Sequence, residues 1–155
     1  MSASKLVRTN WTGTWHGAIE AYPEGQPGHG WHKTIVIGPY PTADNTCTTW
    51  NSTFTQHGVV QLRKDYRFCR GRDAGDLYID IGSGATLRVQ WINDVLISSF
   101  KHNGVFGVSS LRLRSDILKE EVINADDKPG VEDTVVSMRT HSIHFIEMKQ
   151  ITDEE

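Results

Sequence analysis

Gly13-Thr14-Trp15 is the stretch that decides the fold, because a long series of strand-like segments follows it. Turn signals recur at intervals of roughly eight to twelve residues, the spacing of all-β sandwiches and barrels. A Gly-x-Trp at the start of the first strand favours a closed antiparallel barrel of about 8–10 strands. Small closed barrels hold one small ligand inside. The sequence therefore predicts an all-β barrel with an internal ligand pocket.

The predicted strands are segments of alternating polarity or of β-branched and aromatic composition. They span 15–22, 33–38, 46–55, 59–69, 76–81, 85–91, 95–101, 105–113, 117–124 and 142–151. Gly82-Ser83-Gly84 and Asn103-Gly104 are strong hairpin signals. Residues 117–121 also have high helix propensity, so a short helix is the alternative there. We expect one domain over 1–155, with an ordered core at about 11–151.

Composition excludes several classes of protein. The chain has 155 residues, 37% of them hydrophobic and 23% charged, which suits a single globular domain. A net charge of −3 argues against a nucleic-acid partner, since phosphate binding needs a basic surface. No apolar run approaches the roughly 18 residues of a membrane helix. We therefore expect neither nucleic-acid binding nor a membrane span.

Cysteines and sequons bear on location. Cys47 and Cys69 are the only cysteines, and each lies in a predicted strand. A bridge between neighbouring strands would contribute about 3 kcal/mol, and two buried free thiols are the alternative. Asn10 and Asn51 begin glycosylation sequons. These features favour secretion or the endomembrane lumen, while the lack of a visible leader leaves the cytoplasm open.

Period-two alternation assigns side chains to the two faces of each strand. It places Trp15 inside, where we expect it to plug one end beneath a basic side chain, Arg139 or Lys149. In the last strand, apolar residues occur on both faces, and we expect Phe145 to be inside. The run 95–97 is apolar on both faces too, which would allow a homodimer.

Polar groups on two strands could serve a ligand in the barrel. One face of the segment 64–70 carries Lys64 and Tyr66, which would offer hydrogen-bond donors inside an apolar cup. Phe100, Lys101 and His102 form a second cluster near a predicted barrel end. A few convergent polar groups in an apolar pocket are typical of small-molecule sites. The alternative is that these charged side chains extend to solvent at strand ends.

Other chemistries find little support in the sequence. His141 and His144 are three apart on a strand and so point to opposite faces, which disfavours a shared metal ion. No Gly-x-Ser-x-Gly elbow is present for a hydrolase. The pairs Glu120-Glu121 and Asp126-Asp127 are interpreted as solvated surface. We expect no metal site.

A set of motifs runs along most of the chain, at about residues 11–150. Its members are Gly13-Thr14-Trp15, Thr46-Cys47-Thr48-Thr49-Trp50, Lys64-Asp65-Tyr66-Arg67-Phe68-Cys69-Arg70-Gly71, Asp76-Leu77-Tyr78-Ile79-Asp80, Trp91-Ile92-Asn93-Asp94-Val95-Leu96-Ile97-Ser98 and Lys101. Together they resemble a family of small fungal calycin-like (lipocalin-like) proteins, whose members usually carry a signal peptide.

This resemblance implies a reaction as well as a fold. Some proteins of this kind are pericyclases of tropolone–sesquiterpenoid (meroterpenoid) secondary metabolism, hetero-Diels–Alderases that join a tropolone quinone methide to a humulene-type terpene. We therefore predict a cofactor-independent cyclase that acts on hydrophobic small molecules. The predicted catalytic residues are Lys64, Tyr66, Lys101 and His144, and the predicted substrate-binding residues are Trp50, Trp91, Phe100 and Phe145.

Two other functions are compatible with the same sequence. A non-catalytic, lipocalin-like carrier of a hydrophobic metabolite would need the same pocket. A chromophore lyase-like role is a third option, which neither Cys47 nor Cys69 obviously serves.

Overall fold

A computed structural model of the chain describes residues 11–23, 29–132 and 134–152. Three segments lie partly outside these residues: the Gly- and Pro-rich sequence 23–30, which we interpret as a loop, the polar segment 152–155, which we interpret as a solvated tail, and the sequon that begins at Asn10. Within the described residues, no helix is long and apolar enough to cross a membrane.

The described chain is all-β and forms a closed antiparallel barrel. The elements are β1 (Gly13–Tyr22), β2 (Trp31–Ile37), β3 (Thr46–Gln56), β4 (Val59–Arg70), β5 (Leu77–Gly82), β6 (Ala85–Ile92), β7 (Val95–His102), β8 (Val105–Arg114), β9 (Ile117–Asp126), β10 (Val131–Glu132), β11 (Val136–Ser137) and β12 (Thr140–Ile151). Around the barrel the order is β1-β12-β9-β8-β7-β6-β5-β4-β3-β2, and β10 pairs with β11 in a separate small sheet. The predicted fold class is confirmed.

Tight hairpins connect most neighbouring strands, as the turn chemistry predicts. Asn103 and Gly104, between β7 and β8, both have positive φ angles, 51° and 83°. Asparagine and glycine tolerate this conformation, and it matches the twist of the paired strands. The predicted Asn-Gly hairpin is therefore confirmed.

The barrel closes where β1 pairs with β12. Thr14 lies opposite Ile151 and Tyr22 lies opposite Ile143. A Cβ atom on Gly17 would collide with the Glu147 carbonyl oxygen, so glycine permits this close approach. Gln150 adds a side-chain hydrogen bond to the Thr12 carbonyl oxygen at 3.1 Å.

One end of the barrel, which we call the closed end, is filled with apolar side chains. Trp15 is 3% exposed and its indole nitrogen donates a hydrogen bond to the Trp11 carbonyl oxygen at 2.8 Å. Buried side chains from most of the barrel strands belong to the same core cluster: Ile35, Ile37, Phe68, Leu77, Leu113, Leu118 and Met148. Trp15 thus plugs this end, as its motif predicts.

Some details of the sequence prediction are wrong. The strand prediction for residues 117–124 is confirmed and the alternative of a short helix at 117–121 is wrong, because the backbone of β9 pairs there with both β8 and β12. The β10–β11 hairpin was not predicted.

Arg139 does not reach Trp15, because it pairs with Asp126 at the opposite end of the barrel. Lys149 lines the same recess as Trp15, and their stacking stays a prediction.

A disulfide joins Cys47 to Cys69, directly opposed residues of β3 and β4 that are separated by 22 positions in the sequence. Replacing both with serine is expected to lower the free energy of unfolding by about 3 kcal/mol, because the unfolded chain regains the entropy of an open loop. Urea unfolding followed by tryptophan fluorescence measures this. A reductant should bring the wild-type midpoint down to that of the variant, and coincident midpoints for the variant and the oxidised wild type would contradict the prediction.

Candidate functional site

A cavity of about 380 Å³ occupies the part of the barrel away from the closed end. This volume is in the range that takes a drug-sized ligand. Its wall is apolar and aromatic, with side chains that include Trp50, Phe54, Ile79, Leu96 and Phe100. Polar groups reach into the same space from β2, β4, β9 and β12. The barrel therefore contains the kind of pocket that the sequence predicts.

An ion pair spans the interior of the barrel. Lys33 of β2 and Glu120 of β9 face inward from strands that are not neighbours, and Lys33 Nζ lies 2.7 Å from Glu120 Oε1. Their side chains are only 8% and 18% exposed. An ammonium group this buried requires a partner charge, so the pair is an integral part of the cavity wall.

Lys64 is the second ammonium group in the cavity and differs from Lys33 in its surroundings. It is half-buried, and within the described residues its Nζ has no hydrogen-bond or ion-pair partner. Its neighbour is the Phe54 ring, whose centroid lies 5.3 Å from Lys64 Nζ and 5.5 Å from Lys33 Nζ. Burial, and next the Lys33 charge, lower the pKa of Lys64, while Glu120 acts in the opposite direction.

Tyr66 and His144 complete the set of titratable groups in the cavity. Tyr66 follows Lys64 on the same face of β4, and burial raises the pKa of its phenol, which therefore remains a hydrogen-bond donor at neutral pH. Burial lowers the pKa of His144, against the opposing effect of Glu120. The cavity thus holds two ammonium groups against one carboxylate, with a neutral phenol and an imidazole that favours its neutral form.

Aromatic side chains shape the cavity wall. The Phe100 ring lies directly over Gly107 of β8, where an added Cβ atom would come within 2.6 Å of the ring. Glycine at this position therefore leaves room for the tip of the Phe100 ring beside β8. Trp50 lines the cavity and also contacts Phe68 of the closed end, with ring centroids 5.4 Å apart.

The structure brings together five of the predicted catalytic and substrate-binding residues in this cavity: Lys64, Tyr66, His144, Trp50 and Phe100. The prediction that the other three lie at the site is wrong. Lys101 is exposed on the outer face, because the Phe100 side chain turns inward. Phe145 also faces outward, because its neighbours His144 and Ile146 line the cavity. Trp91 lies in the closed end, edge-on to Trp11 at 5.0 Å and donating a hydrogen bond to the Tyr40 hydroxyl at 3.0 Å.

Lys33 and Glu120 are the charged site residues that sequence reasoning missed. By period-two alternation, Lys33 shares its strand face with Ile35 and Ile37, and Glu120 shares its face of β9 with Leu118 and Val122. That alternation was the available signal, since it places both charges inward. The interpretation of Glu120 as solvated surface is therefore wrong.

The His144 imidazole gives the barrel a predicted dependence on pH. The folded state disfavours its protonated form, so the unfolded state binds more protons in the window below the ordinary pKa of 6.5. Acidification from about pH 7 to about pH 5 is therefore expected to lower the free energy of unfolding. Urea unfolding at a series of pH values measures the slope.

His16 on the outer face contributes in the same direction, because burial and then the neighbouring His32 lower its pKa. The variant His144→Gln should remove part of the pH dependence, and the double variant with His16→Gln should remove more. Equal slopes for the wild type and the double variant would overturn the assignment.

Among the described residues, no group of three or more His, Cys, Asp or Glu side chains could hold a metal ion. Comparisons with protein-family models, with curated proteins and with solved structures each found no match to the chain. The resemblance to fungal calycin-like proteins therefore stays a prediction.

Proposed function

We propose that this protein is a cofactor-independent pericyclase that joins two apolar partners inside the barrel. Following the resemblance, the reaction is a hetero-Diels–Alder addition of a tropolone quinone methide to a humulene-type sesquiterpene. The observation that carries the proposal is Lys64, an ammonium group that lies in an aromatic cavity without a hydrogen-bond or ion-pair partner among the described residues.

A cycloaddition of this kind responds to two properties of a protein site. Holding the two reactants face to face removes several kcal/mol from the barrier by orientation alone. A hydrogen-bond donor aimed at the carbonyl oxygen that gains electron density stabilises the transition state further. Trp50, Phe54 and Phe100 supply apolar walls for the first effect. Lys64 and Tyr66, on one face of β4, supply donors for the second.

The Lys33–Glu120 pair has a different part in this proposal. Because the two groups satisfy one another at 2.7 Å, they do not compete for the ligand carbonyl. Lys64 has no such partner among the described residues, so a ligand oxygen is the group that best satisfies it.

Incubation with a quinone-methide precursor and a humulene-type terpene tests the function. We expect faster product formation than in buffer and a single dominant stereoisomer, measured by chiral chromatography. The variant Lys119→Met is the matched control, since Lys119 lies on the outer face of β9. Product rate and stereochemistry equal to those in buffer would refute the proposal.

A carrier of a hydrophobic metabolite is the second candidate. The observation in its favour is that the cavity has a volume of about 380 Å³ and that its buried ion pair is satisfied within the protein. Such a protein would bind its ligand with quenching of Trp50 fluorescence, because Trp50 lines the cavity. Binding without turnover in the same incubation distinguishes the carrier from the enzyme.

The same proposal includes the compartment. The Cys47–Cys69 disulfide supports secretion or the endomembrane lumen, where thiols are oxidised. Recovery of the protein from the medium or lumen of the producing cell, with this bridge intact, is the expected result.

A further inference from the structure

We propose that the Lys64 amine forms an imine with apolar aldehydes that enter the barrel cavity, which makes Lys64 a covalent attachment site. This inference goes beyond the cycloaddition and does not depend on it. It concerns the amine as a nucleophile, whereas the cycloaddition uses it as a hydrogen-bond donor.

The position of Lys64 separates it from the other lysines that the structure describes. Lys33 also faces the cavity, but its ammonium is held by Glu120. Lys101, Lys128 and Lys149 are exposed to solvent, and Lys119 is half-buried on the outer face of β9, away from the cavity. Among the described lysines, Lys64 is the one that lines the cavity and whose amine makes no ion pair.

The surroundings of Lys64 raise the fraction of neutral amine, which is the form that attacks a carbonyl. Desolvation in an apolar pocket and a neighbouring cation are the two general means by which proteins activate a lysine nucleophile. Both are present. The cavity half-buries Lys64, and Lys33 contacts the same Phe54 ring, with its Nζ 5.5 Å from the ring centroid. The lowered pKa of Lys64 has these same two causes, burial first.

The wall of the cavity indicates the class of aldehyde. Phe54 lies against the Lys64 amine, and Trp50 and Phe100 line the same space. Flat, conjugated molecules stack on such rings, and a cavity of about 380 Å³ admits a molecule of this kind. We therefore expect conjugated aromatic aldehydes to react better than small hydrophilic ones.

The reaction balances without a redox partner. The neutral Lys64 amine attacks the aldehyde carbon, and a proton from nitrogen moves to the carbonyl oxygen, which gives a carbinolamine. A second proton transfer lets the hydroxyl group leave as water while the carbon–nitrogen double bond forms. Tyr66, two residues further along the same face of β4, can donate and accept these protons through its phenol.

Reductive trapping tests the proposal. The protein is incubated at neutral pH with trans-cinnamaldehyde and cyanoborohydride, which reduces an imine to a stable secondary amine. Intact mass counts the adducts and peptide mapping locates them. Cinnamyl alcohol, which has the same shape without the carbonyl, controls for non-covalent binding. The variants Lys64→Met and Lys64→Arg remove the nucleophile, and Lys119→Met is the matched control.

We expect a single adduct, at Lys64, while the exposed lysines stay unmodified over the same time, because the cavity holds the apolar aldehyde beside the Lys64 amine. Both Lys64 variants should lose it, and Lys119→Met should keep it. Arginine preserves the positive charge, so loss in both variants separates nucleophilicity from charge and from misfolding. Adducts spread evenly over exposed lysines, or no adduct at Lys64, would overturn the proposal. The cycloaddition assay is unaffected by either outcome.

Discussion

Replacing Glu120 with glutamine is expected to lower the free energy of unfolding by roughly 3 kcal/mol, the low end of the range for breaking a buried ion pair. The substitution leaves Lys33 as a charged ammonium whose side chain is 8% exposed, with no carboxylate at 2.7 Å to compensate it. Because the Glu120 side chain is 18% exposed, the pair is not fully removed from solvent, and we expect the low end of the range. Urea unfolding with tryptophan fluorescence measures the change.

Two further variants make this experiment specific. Glu121→Gln changes the next residue along β9, which alternation places on the other side of the sheet, and should cost within about 0.5 kcal/mol. The double variant Lys33→Met, Glu120→Leu replaces the pair with apolar groups and should recover most of the lost stability. Equal losses for Glu120→Gln and Glu121→Gln would show that the ion pair does not stabilise the barrel.

The second large effect is expected for Lys64→Met, which should slow the proposed cycloaddition about 100-fold and at the same time stabilise the fold. The rate falls because a donor to the developing negative charge is lost, and removal of one such donor typically costs this much. Initial rates with the quinone-methide precursor and the terpene measure it, beside Lys119→Met, whose rate should match the wild type.

The gain in stability follows from the sign of the pKa shift. The pKa of Lys64 in the folded protein is lowered from 10.5, so the folded state disfavours the charged amine. This penalty is fully present below the folded-state pKa and disappears as the pH rises from that value to 10.5. Methionine has no such penalty, so the variant should unfold at higher urea concentration at neutral pH. A variant that loses both stability and rate would assign Lys64 a structural role.

Alternation predicted much of the barrel because most strands have one apolar face. Trp15 and Ile19 of β1 are buried while His16 and Glu20 are exposed, as period two requires. The same reasoning failed at β12, where both faces carry apolar residues. In β12, the pairing with β1 determines which face points inward. His144 lies opposite the buried Ala21 and faces the interior, so Phe145 faces outward. Cross-strand register of this kind is not contained in a single strand's sequence.

The ion pair shows a second limit of sequence reasoning. Lys33 and Glu120 are 87 residues apart and meet only because the closed barrel brings β2 and β9 to face each other across its interior. From the sequence, each residue by itself would be interpreted as a surface charge, since buried lysine and glutamate are rare unless they are paired. Lys64 and Tyr66 could be predicted as inward donors, because their strand places them with the apolar Phe68.

The barrel closes only when β1 pairs with β12, and this pairing limits the order in which the strands can assemble during synthesis. Thr12 and Gln150, hydrogen-bonded across this closure, are 138 residues apart in the chain. During synthesis on a ribosome, one edge of β1 has no partner until β12 has emerged, after every other strand of the barrel. Contacts of such long range make folding slow, and an unpaired edge is open to pairing with another chain. The nascent protein is therefore most vulnerable to aggregation just before its last strand is complete.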